Sequence, residues 1–459
     1  MRTVGNNSRK DEGVAFMSSL LSEIEATFKA NDDFFLLPQN IQGIDIVLMG
    51  LTSLIDISKS IEALEEKLVE KNLTKKEILM QLNNSGEKKT NIEEISSSVI
   101  EGKLLVLVKS KATVITLKPI GKKLSRSVES SENEQVLQGP LVAFTEELDT
   151  SIGILRKQLP TANLLVKNYT MGRDINRKLS LLYCKGKASQ KLIRAIMDKI
   201  ETSQDKEINN IQDLIKVLGM RSHSVVAPFK ITELPEEAAQ SLLKGKVALF
   251  LDNFPFALIL PGVIWDLFIL ENDRNFTYPL MLAIRLLRIV AIIVSLIVPG
   301  LYVALVAVNP EVLRIELALS IAQSREGIPY PAFVEMLFML IIMEFIIEGS
   351  IRLPKSIGPT ITMVGGIIIG QAVVEAKLVS NILIIFLAAA TIANSTIIGF
   401  QNAASIRLFK YIILILAAIY GVLGVLAGIF LIGAHLASIQ VFGISYLSNN
   451  LKKEGAKIG

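Results

Sequence analysis

Three glutamates stand inside an apolar stretch that is long enough to cross a membrane. Glu335, Glu344 and Glu348 lie within SREGIPYPAFVEMLFMLIIMEFIIEG, which runs from Ser324 to Gly349. A carboxylate near the centre of a bilayer costs about 2.5 kcal/mol or more, so it requires a partner, water or a cation. Carboxylates in such positions can bind cations and form part of a pathway for them.

Glu344 is the hardest of the three to explain, because MLFMLIIM precedes it and FII follows it. We expect its side chain to face either a water-filled path or a buried partner. Glu335 and Glu348 lie nearer the ends of the stretch. Pairing with Arg325 and Arg352 at the level of the lipid headgroups would explain these two as well as a pathway would.

The next apolar stretch, PTITMVGGIIIGQAVVEA, carries further candidates. Gln371 and Glu375 are four residues apart on one helix face. Gly365, Gly366 and Gly370 are small residues at a spacing that lets helix backbones approach closely. They predict tight helix packing, either within the chain or between the subunits of an oligomer.

Two basic pairs mark the ends of apolar stretches. Arg285 and Arg288 open the first stretch, and Arg407 and Lys410 open the last. The members of each pair are three residues apart, so they share a helix face. Basic residues at such positions are typical of anchors at the surface of a lipid membrane.

No constellation in the sequence is typical of catalysis or of metal binding. The two histidines, His223 and His435, lie in unrelated contexts, and Cys184 is the only cysteine. There is no phosphate loop, zinc motif or nucleophile elbow. We therefore expect no enzyme activity and no cofactor. Nucleic acid is not indicated as a partner either, because the first 280 residues hold 36 basic and 36 acidic residues.

The distribution of charge divides the chain into two parts. Residues 1–280 hold 72 of the 92 charged residues, although 51% of the whole chain is hydrophobic and its mean hydropathy is +0.47. We therefore predict an α/β two-lobed soluble N-terminal domain followed by an all-α multi-span membrane domain. The N-terminal residues lack the long apolar core of a signal peptide, so we expect the soluble domain to be cytoplasmic.

The soluble part contains two pairs of similar segments. IDIVLMGLTS from Ile44 resembles LSLLYCKGKAS from Leu179, and IEGKLLVLVKSKATVITL from Ile100 resembles LKGKVALFLDNFPFALIL from Leu243, at offsets of 135 and 143 residues. This repeat predicts a first α/β lobe at 31–120 and a second at 179–270. A disordered tail is expected at 1–30, and a linker loop with an amphipathic helix at 121–178.

Five stretches in the second part are long enough to cross a hydrocarbon core of about 30 Å. They predict about five, and between four and six, spanning helices within 271–450, followed by a basic tail at 451–459. Five spans would place that tail outside, against the usual bias of positive charge towards the cytoplasm. Either one stretch is re-entrant or interfacial, or the tail is outside.

Several long motifs of the chain closely resemble one protein family. LDNFPFALILPG, SREGIPYPAFVE, GSIRLPKSIG, MVGGIIIGQAVVEAKLVS and FGISYLS occur in this order. They are similar to motifs of the A subunit of GerA-type spore germination receptors. LYCKGKA and LLKGKVALFLDN in the soluble part agree more loosely, and the resemblance covers residues 40–450.

This resemblance implies a non-enzymatic subunit in the inner membrane of the spore, with a cytoplasmic N-terminal domain. The family is thought to form ring-shaped homo-oligomers that open an ion pathway when nutrient binds. The resemblance implies that Glu344, with Gln371 and Glu375 as weaker candidates, would line or gate this ion path. Its partners are a transporter-like B subunit and a lipoprotein C subunit. The chain departs from the family at Leu340 and Ile347, where a Glu and an Arg are usual. Altered gating or ion selectivity would follow from that loss.

Two rival functions are open from the sequence. A secondary transporter would show repeated membrane segments with broken helices at matching positions. The repeat in this chain lies in the soluble part, which counts against a transporter. A scaffold subunit that does not conduct would depend on Glu344 only for folding.

Overall fold

The computed structural model of the chain describes residues 20–41, 43–69, 77, 80, 82, 85–108, 113–121, 142–220, 224–354 and 357–448. The N-terminal part contains two five-stranded antiparallel sheets with helices packed on them. The C-terminal part is helical, apart from one short hairpin. The predicted loop after residue 121 and the basic tail at 451–459 lie outside the described residues.

The first sheet has the strand order β1-β2-β4-β5-β3. Its elements are β1 (Phe34–Ile41), β2 (Ile44–Leu51), α2 (Ile57–Val69), β3 (Glu87–Lys89), α3 (Ile92–Ile100), β4 (Leu104–Val108) and β5 (Thr113–Leu117). Strand β4 is a run of five apolar residues, all of them buried, as expected for a strand covered on both faces. Asn91 begins α3, because its side-chain oxygen accepts a hydrogen bond from the Glu93 N–H.

The second sheet repeats this arrangement in the order β6-β7-β9-β10-β8. Its elements are α4 (Leu148–Gln158), β6 (Leu164–Met171), β7 (Arg177–Cys184), α5 (Gln190–Glu201), α6 (Ile211–Val217), β8 (Lys230–Thr232), α7 (Pro235–Leu243), β9 (Val247–Leu251) and β10 (Ala257–Leu260). Every strand has its counterpart in the first sheet. The chain therefore contains two α/β lobes of the same topology, in agreement with the repeat in the sequence.

The lobe boundaries differ from those predicted. Residues 20–28 form a helix, α1, where a disordered tail was expected, because Leu20, Ile24 and Phe28 share one face and are buried in the first core. The second lobe begins well before residue 179, because α4 and β6 pack into its core. Strand β6 was missed because its second half, KNYT, is largely polar in sequence, although its side chains alternate between half-buried and exposed in the structure.

A buried ion pair joins the two lobes. The guanidinium of Arg156 in α4 donates to both carboxylate oxygens of Asp33, at 2.6 and 2.7 Å, and both side chains are 3% exposed. The side-chain oxygen of Asn31 accepts from Arg156 and from the Val166 N–H, each at 3.1 Å. The segment before β1 is thereby attached to both α4 and β6 of the second lobe.

The helical part begins with two short 3-10 turns, at Ile264–Leu267 and Glu271–Asn275. The helices that follow are α8 (Tyr278–Val303, continued by a π-helical turn at Ala304–Val308), α9 (Ile315–Ser324), α10 (Ala332–Arg352), α11 (Gly358–Glu375), α12 (Asn381–Asn394) and α13 (Phe400–Ser438). Strands β11 (Gln440–Val441) and β12 (Ile444–Ser445) form a terminal hairpin.

Helix α13 folds back on itself at Gly421. This residue has φ 60° and ψ −137°, a conformation that glycine adopts readily and other residues rarely do. Beyond it the chain returns along its own path, because a Cβ placed on Gly428 would lie 3.2 Å from the Cα of Ile413. The element therefore consists of two antiparallel arms, α13a (400–420) and α13b (422–438).

Both arms of α13 reach the second lobe at the end away from Gly421. The Ser405 hydroxyl near the start of α13a donates to the Val225 carbonyl at 2.6 Å. Val441 and Ile444 of the hairpin after α13b are buried in the core of the second lobe. The terminal hairpin thus lies on the same side of the helical bundle as the N-terminal domain, an arrangement that five straight spans would not give.

Two helices among the described residues are long and apolar enough to cross a membrane, namely Tyr278–Val308 and Phe400–Ser438. The second of these is the folded-back pair of arms, with 21 residues in α13a and 17 in α13b. Shorter apolar helices lie at Thr362–Glu375 and Asn381–Asn394. The structure therefore supports a membrane-associated helical part.

Candidate functional site

Glu344 lies near the middle of α10 and faces two cations of α13a. Its carboxylate is 3.2 Å from Nη1 of Arg407 and accepts a hydrogen bond from Nζ of Lys410 at 3.3 Å. The side chain of Glu344 is 30% exposed, whereas those of Arg407 and Lys410 are 12% and 9% exposed. We call these three residues the Glu344 cluster. One carboxylate faces two cations, so the cluster carries a net charge of +1.

Aromatic rings hold the two cations in place. The guanidinium carbon of Arg407 lies 5.7 Å from the centroid of the Phe400 ring, and Nζ of Lys410 lies 5.4 Å from that of Tyr411. Both distances are within the range of attractive cation–π interactions. The sequence predicts this basic pair as anchors at the membrane surface. In the structure both side chains turn towards α10, and the anchoring role stays a prediction.

Glu335, at the start of α10, forms a second and more deeply buried cluster. Its side chain has no exposed surface, and one oxygen accepts hydrogen bonds from Arg325 at 2.7 and 3.1 Å. The other oxygen accepts from the Ser380 N–H at 3.3 Å. The Ser380 hydroxyl lies 3.0 Å from the hydroxyl of Tyr302. We call these four residues the Glu335 cluster; it joins α8, α10 and the start of α12.

Sequence reasoning paired Arg325 with Glu335 as one alternative and missed the other two members of this cluster. A signal for Ser380 was present, because a serine directly before an apolar run is typical of a helix N-cap. Its hydroxyl indeed accepts from the Leu383 N–H at 3.2 Å. Tyr302 gave no comparable signal, since an aromatic residue in an apolar stretch is usually part of the core.

Glu348 forms an ordinary surface pair. It accepts hydrogen bonds from Arg352, four residues on, at 2.6 and 3.0 Å. Both side chains are more than half exposed, so the pair contributes less than about 1 kcal/mol. The three glutamates of α10 therefore have three different environments, and they do not form one polar stripe.

Helix α11 presents its polar and small residues to the outside of the chain. Gln371 and Glu375 are exposed, and neither forms a hydrogen bond or ion pair with the Glu344 cluster in the described part of the structure. A Cβ added to Gly365, Gly366 or Gly370 would have no atom of another element within 4 Å. The close packing that these glycines predict does not occur within the described part of the chain.

Arg285 and Arg288, predicted to be membrane anchors, bind inside the protein. Their guanidinium nitrogens lie 3.4 and 3.0 Å from Asp273, which is almost fully buried. Arg288 also donates to the carbonyl of Phe268 at 2.7 Å. The first turns of α8 are thereby attached to the two 3-10 turns that lead out of the second lobe.

A buried pair in the second lobe continues this junction. Nζ of Lys246 lies 2.7 Å from both carboxylate oxygens of Asp266. Burial lowers the pKa of Lys246 below its usual value. Burial acts to raise the pKa of Asp266, but the charges of Lys246 and Lys230 outweigh it and hold that pKa below the usual value. Asp266 therefore stays ionised beside the start of the helical part.

The described residues were compared with the requirements of metal binding and of a reactive thiol. No group of three or more His, Cys, Asp or Glu side chains there is arranged to hold a metal ion. Cys184 is buried, and burial raises the pKa of its thiol to about 11, so it is not a reactive thiolate at neutral pH. His223 lies outside the described residues.

The features above define a class: a two-lobed α/β domain attached to apolar helices that carry buried charges. Comparison with known proteins gives the family. Residues 22–457 match the model of the Bacillus/Clostridium GerA spore germination protein family. The chain therefore belongs to the GerA family of spore germination proteins, and the resemblance seen in its motifs is confirmed.

Several relatives cover most of the chain. Spore germination protein A1 of Bacillus subtilis is 31% identical over 77% of this chain and 73% of its own length. Spore germination protein GerQA of Bacillus cereus is 30% identical over 93% of this chain and 86% of its own. A third relative, 33% identical over 78% of this chain and 70% of its own, is named an uncharacterized membrane protein, YfkQ, of Bacillus subtilis.

One solved structure aligns with the N-terminal part. It is the crystal structure of the N-terminal domain of the A subunit of the Bacillus megaterium spore germinant receptor GerK3. The alignment has a TM-score of 0.39 at 20% identity and covers 53% of this chain and 94% of that chain.

Proposed function

We propose that the chain is the A-type subunit of a nutrient-responsive germination receptor and assembles into an oligomer that conducts cations. It acts without enzymatic chemistry, beside a transporter-like B subunit and a lipoprotein C subunit. It lies in the inner membrane of the spore with its N-terminal domain in the cytoplasm. Membership of the GerA family supports the receptor role. The exposed face of α11 is the observation that supports oligomerisation and conduction.

Helix α11 is unsuited to face lipid as a single chain. Gln371 is exposed in an apolar helix. The glycines before it form a face without side chains, and no other element of the described chain covers that face. An amide in contact with hydrocarbon has no hydrogen-bond partner and is costly. A second copy packed on the glycines would cover that face, while Gln371 and Glu375 would line water between the copies.

The Glu344 cluster holds α10 against α13a and acts as an electrostatic gate for the cation pathway. In the state described here its carboxylate offsets part of the charge of Arg407 and Lys410. Loss of the carboxylate would leave the positive charges of Arg407 and Lys410, which lie at about the same depth, without a compensating negative charge. Two uncompensated positive charges repel cations from a nearby path, so we expect conduction to fall.

We propose that α8, α10, α11, α12 and the two arms of α13 all cross the membrane. The Glu335 cluster places the start of α10 beside the far end of α8, at Tyr302. Asn309, just beyond that end, accepts from the N–H of Val422 at the fold-back of α13. An even number of crossings agrees with the N-terminal domain and the terminal hairpin lying on one side.

Cation efflux from liposomes that contain the purified chain tests this function. Wild type is compared with Glu344→Gln, with Gln371→Leu and with Ile367→Leu, the last being an exposed apolar position of the same helix. We expect efflux in wild type and in Ile367→Leu, and reduced efflux in both other variants. A companion variant, Gly366→Leu, should lower the oligomeric fraction measured by light scattering.

Two outcomes would contradict the proposal. Efflux that is equal in wild type, Glu344→Gln and Gln371→Leu would place the path away from α10 and α11. No efflux from any variant, with folding and oligomeric state intact, would favour a scaffold subunit that does not conduct.

A further inference from the structure

A cavity of about 770 Å³ lies where the second lobe meets the end of α13b. One wall comes from the second lobe, with Lys199 of α5 and the turn after α6 at Gly219. The other wall comes from the end of α13b and the terminal hairpin, including His435, Ser438 and Gln440. Neither wall belongs to the Glu344 cluster or to α11.

Two nitrogen-bearing side chains of this cavity, Lys199 and His435, form no side-chain hydrogen bond or ion pair among the described residues, although the His435 ring also packs against Phe409. Among the described residues, no carboxylate pairs with the ammonium of Lys199, and no side chain forms a hydrogen bond with the imidazole of His435. A Cβ placed on Gly219 would lie 3.4 Å from Nζ of Lys199, so the ammonium lies against the cavity wall. The imidazole can donate a hydrogen bond in either protonation state. The cavity therefore offers donors to an anion.

An apolar strip leads from the membrane part directly to these donors. Ala427, Leu431, His435 and Ser438 follow each other on one face of α13b, and all four are exposed. The strip is apolar in its first half and polar where it enters the cavity. With 17 residues, α13b is about 26 Å long, so its end lies close to the depth of the lipid headgroups.

We infer that this cavity binds the headgroup of an anionic phospholipid, with one acyl chain lying along Ala427 and Leu431. Lys199 and His435 hold the phosphate, and Gln440 lies in the same wall. A lipid bound there bridges the second lobe and the returning arm of α13. The inference rests on the proposed placement of the helical part in a membrane, and it does not require that the chain conducts ions.

Binding of short-chain lipids to the full-length chain in uncharged detergent tests this site by calorimetric titration. The probes are dihexanoyl phosphatidylglycerol, dihexanoyl phosphatidylcholine and glycerol phosphate, the last carrying the same anion without acyl chains. The variants are Lys199→Gln, His435→Gln and Leu431→Ser, with Lys185→Gln as a control at an exposed lysine outside the cavity. Thermal unfolding confirms that each variant is folded.

We expect wild type to bind phosphatidylglycerol more tightly than either other probe. Lys199→Gln should weaken that binding about tenfold, because a charge-assisted hydrogen bond to the phosphate is lost. Leu431→Ser should weaken binding of the lipid and leave binding of glycerol phosphate unchanged. Lys185→Gln should match wild type.

Three results would overturn the inference. Equal affinity for glycerol phosphate and phosphatidylglycerol would make the cavity a site for free anions. Equal affinity for phosphatidylglycerol and phosphatidylcholine would show that the negative charge of the headgroup does not contribute to binding. Equal loss in Lys199→Gln and Lys185→Gln would place binding elsewhere. Because this titration involves no ion flux, a failure of the efflux experiment and a failure of lipid binding are separate results.

Discussion

The Glu335 and Glu344 clusters lie on one helix and differ in how their charges are balanced. Glu335 is fully buried, pairs with a single arginine and also accepts a hydrogen bond from a backbone N–H. Glu344 is partly exposed and faces two cations with one carboxylate. In the first arrangement the charges are paired one to one, which suits a structural joint, meaning a contact that only holds helices together. The second has one partly exposed carboxylate for two cations, which is compatible with the proposed role in gating.

Replacing Glu335 should have the largest effect on stability. Glu335→Gln leaves Arg325 without its carboxylate in a largely buried position, so we expect a loss of about 3 kcal/mol or more in the free energy of unfolding. Glu348→Gln, at the exposed pair on the same helix, should cost less than about 1 kcal/mol. Thermal unfolding of the three proteins in detergent measures both changes. Equal stability of the two variants would contradict the assignment of the Glu335 cluster as a structural joint and of the Glu348 pair as a surface pair.

The Glu344 cluster should show a smaller coupling. Because Glu344 is partly exposed, we expect Glu344→Gln to cost about 1 to 2 kcal/mol, less than a fully buried pair. A double-mutant cycle of Glu344→Gln with Lys410→Met isolates their interaction from other effects. A coupling energy as large as that of a fully buried pair would make this cluster a structural joint as well.

The last effect is a pH dependence at the junction between the second lobe and α8. The pKa of Asp266 is depressed in the folded state, so its contribution to stability is complete above the unfolded value of about 3.9. That contribution is lost as pH falls further, through the lower folded pKa. The fluorescence of Trp265, the only tryptophan, reports unfolding beside this pair. Asp266→Asn should be less stable at neutral pH and should show a weaker loss of stability below pH 4 than wild type.

How far the sequence predicted the structure differs between the lobes and the bundle. The two lobes followed from the repeat, because strands β4 and β9 are unbroken apolar runs whose burial is set by their own residues. Strand β6 was not predicted, since its polar second half is stabilised by pairing with β7. The sequence also predicted the apolar helices, but it did not predict their number or their direction in the bundle.

The fold-back at Gly421 could not be read from the sequence. GVLGVLAG contains several glycines in an apolar run, which is equally typical of close helix packing. The backbone conformation of Gly421 and the contact of Val422 with Asn309, more than a hundred residues earlier, show which glycine turns the chain. That turn moves the terminal hairpin to the side of the N-terminal domain and creates the cavity at the end of α13b.

The sequence by itself determined the two lobes, the apolar helices and the presence of carboxylates within them. These properties depend on periodicity and composition over short distances along the chain. The tertiary structure decided which charges pair. Glu344 meets Lys410 across 66 residues of chain, and Arg288 pairs with Asp273, which precedes its helix. The reason is physical: the cost of a buried charge is local, whereas the partner that offsets it is selected by packing between distant helices.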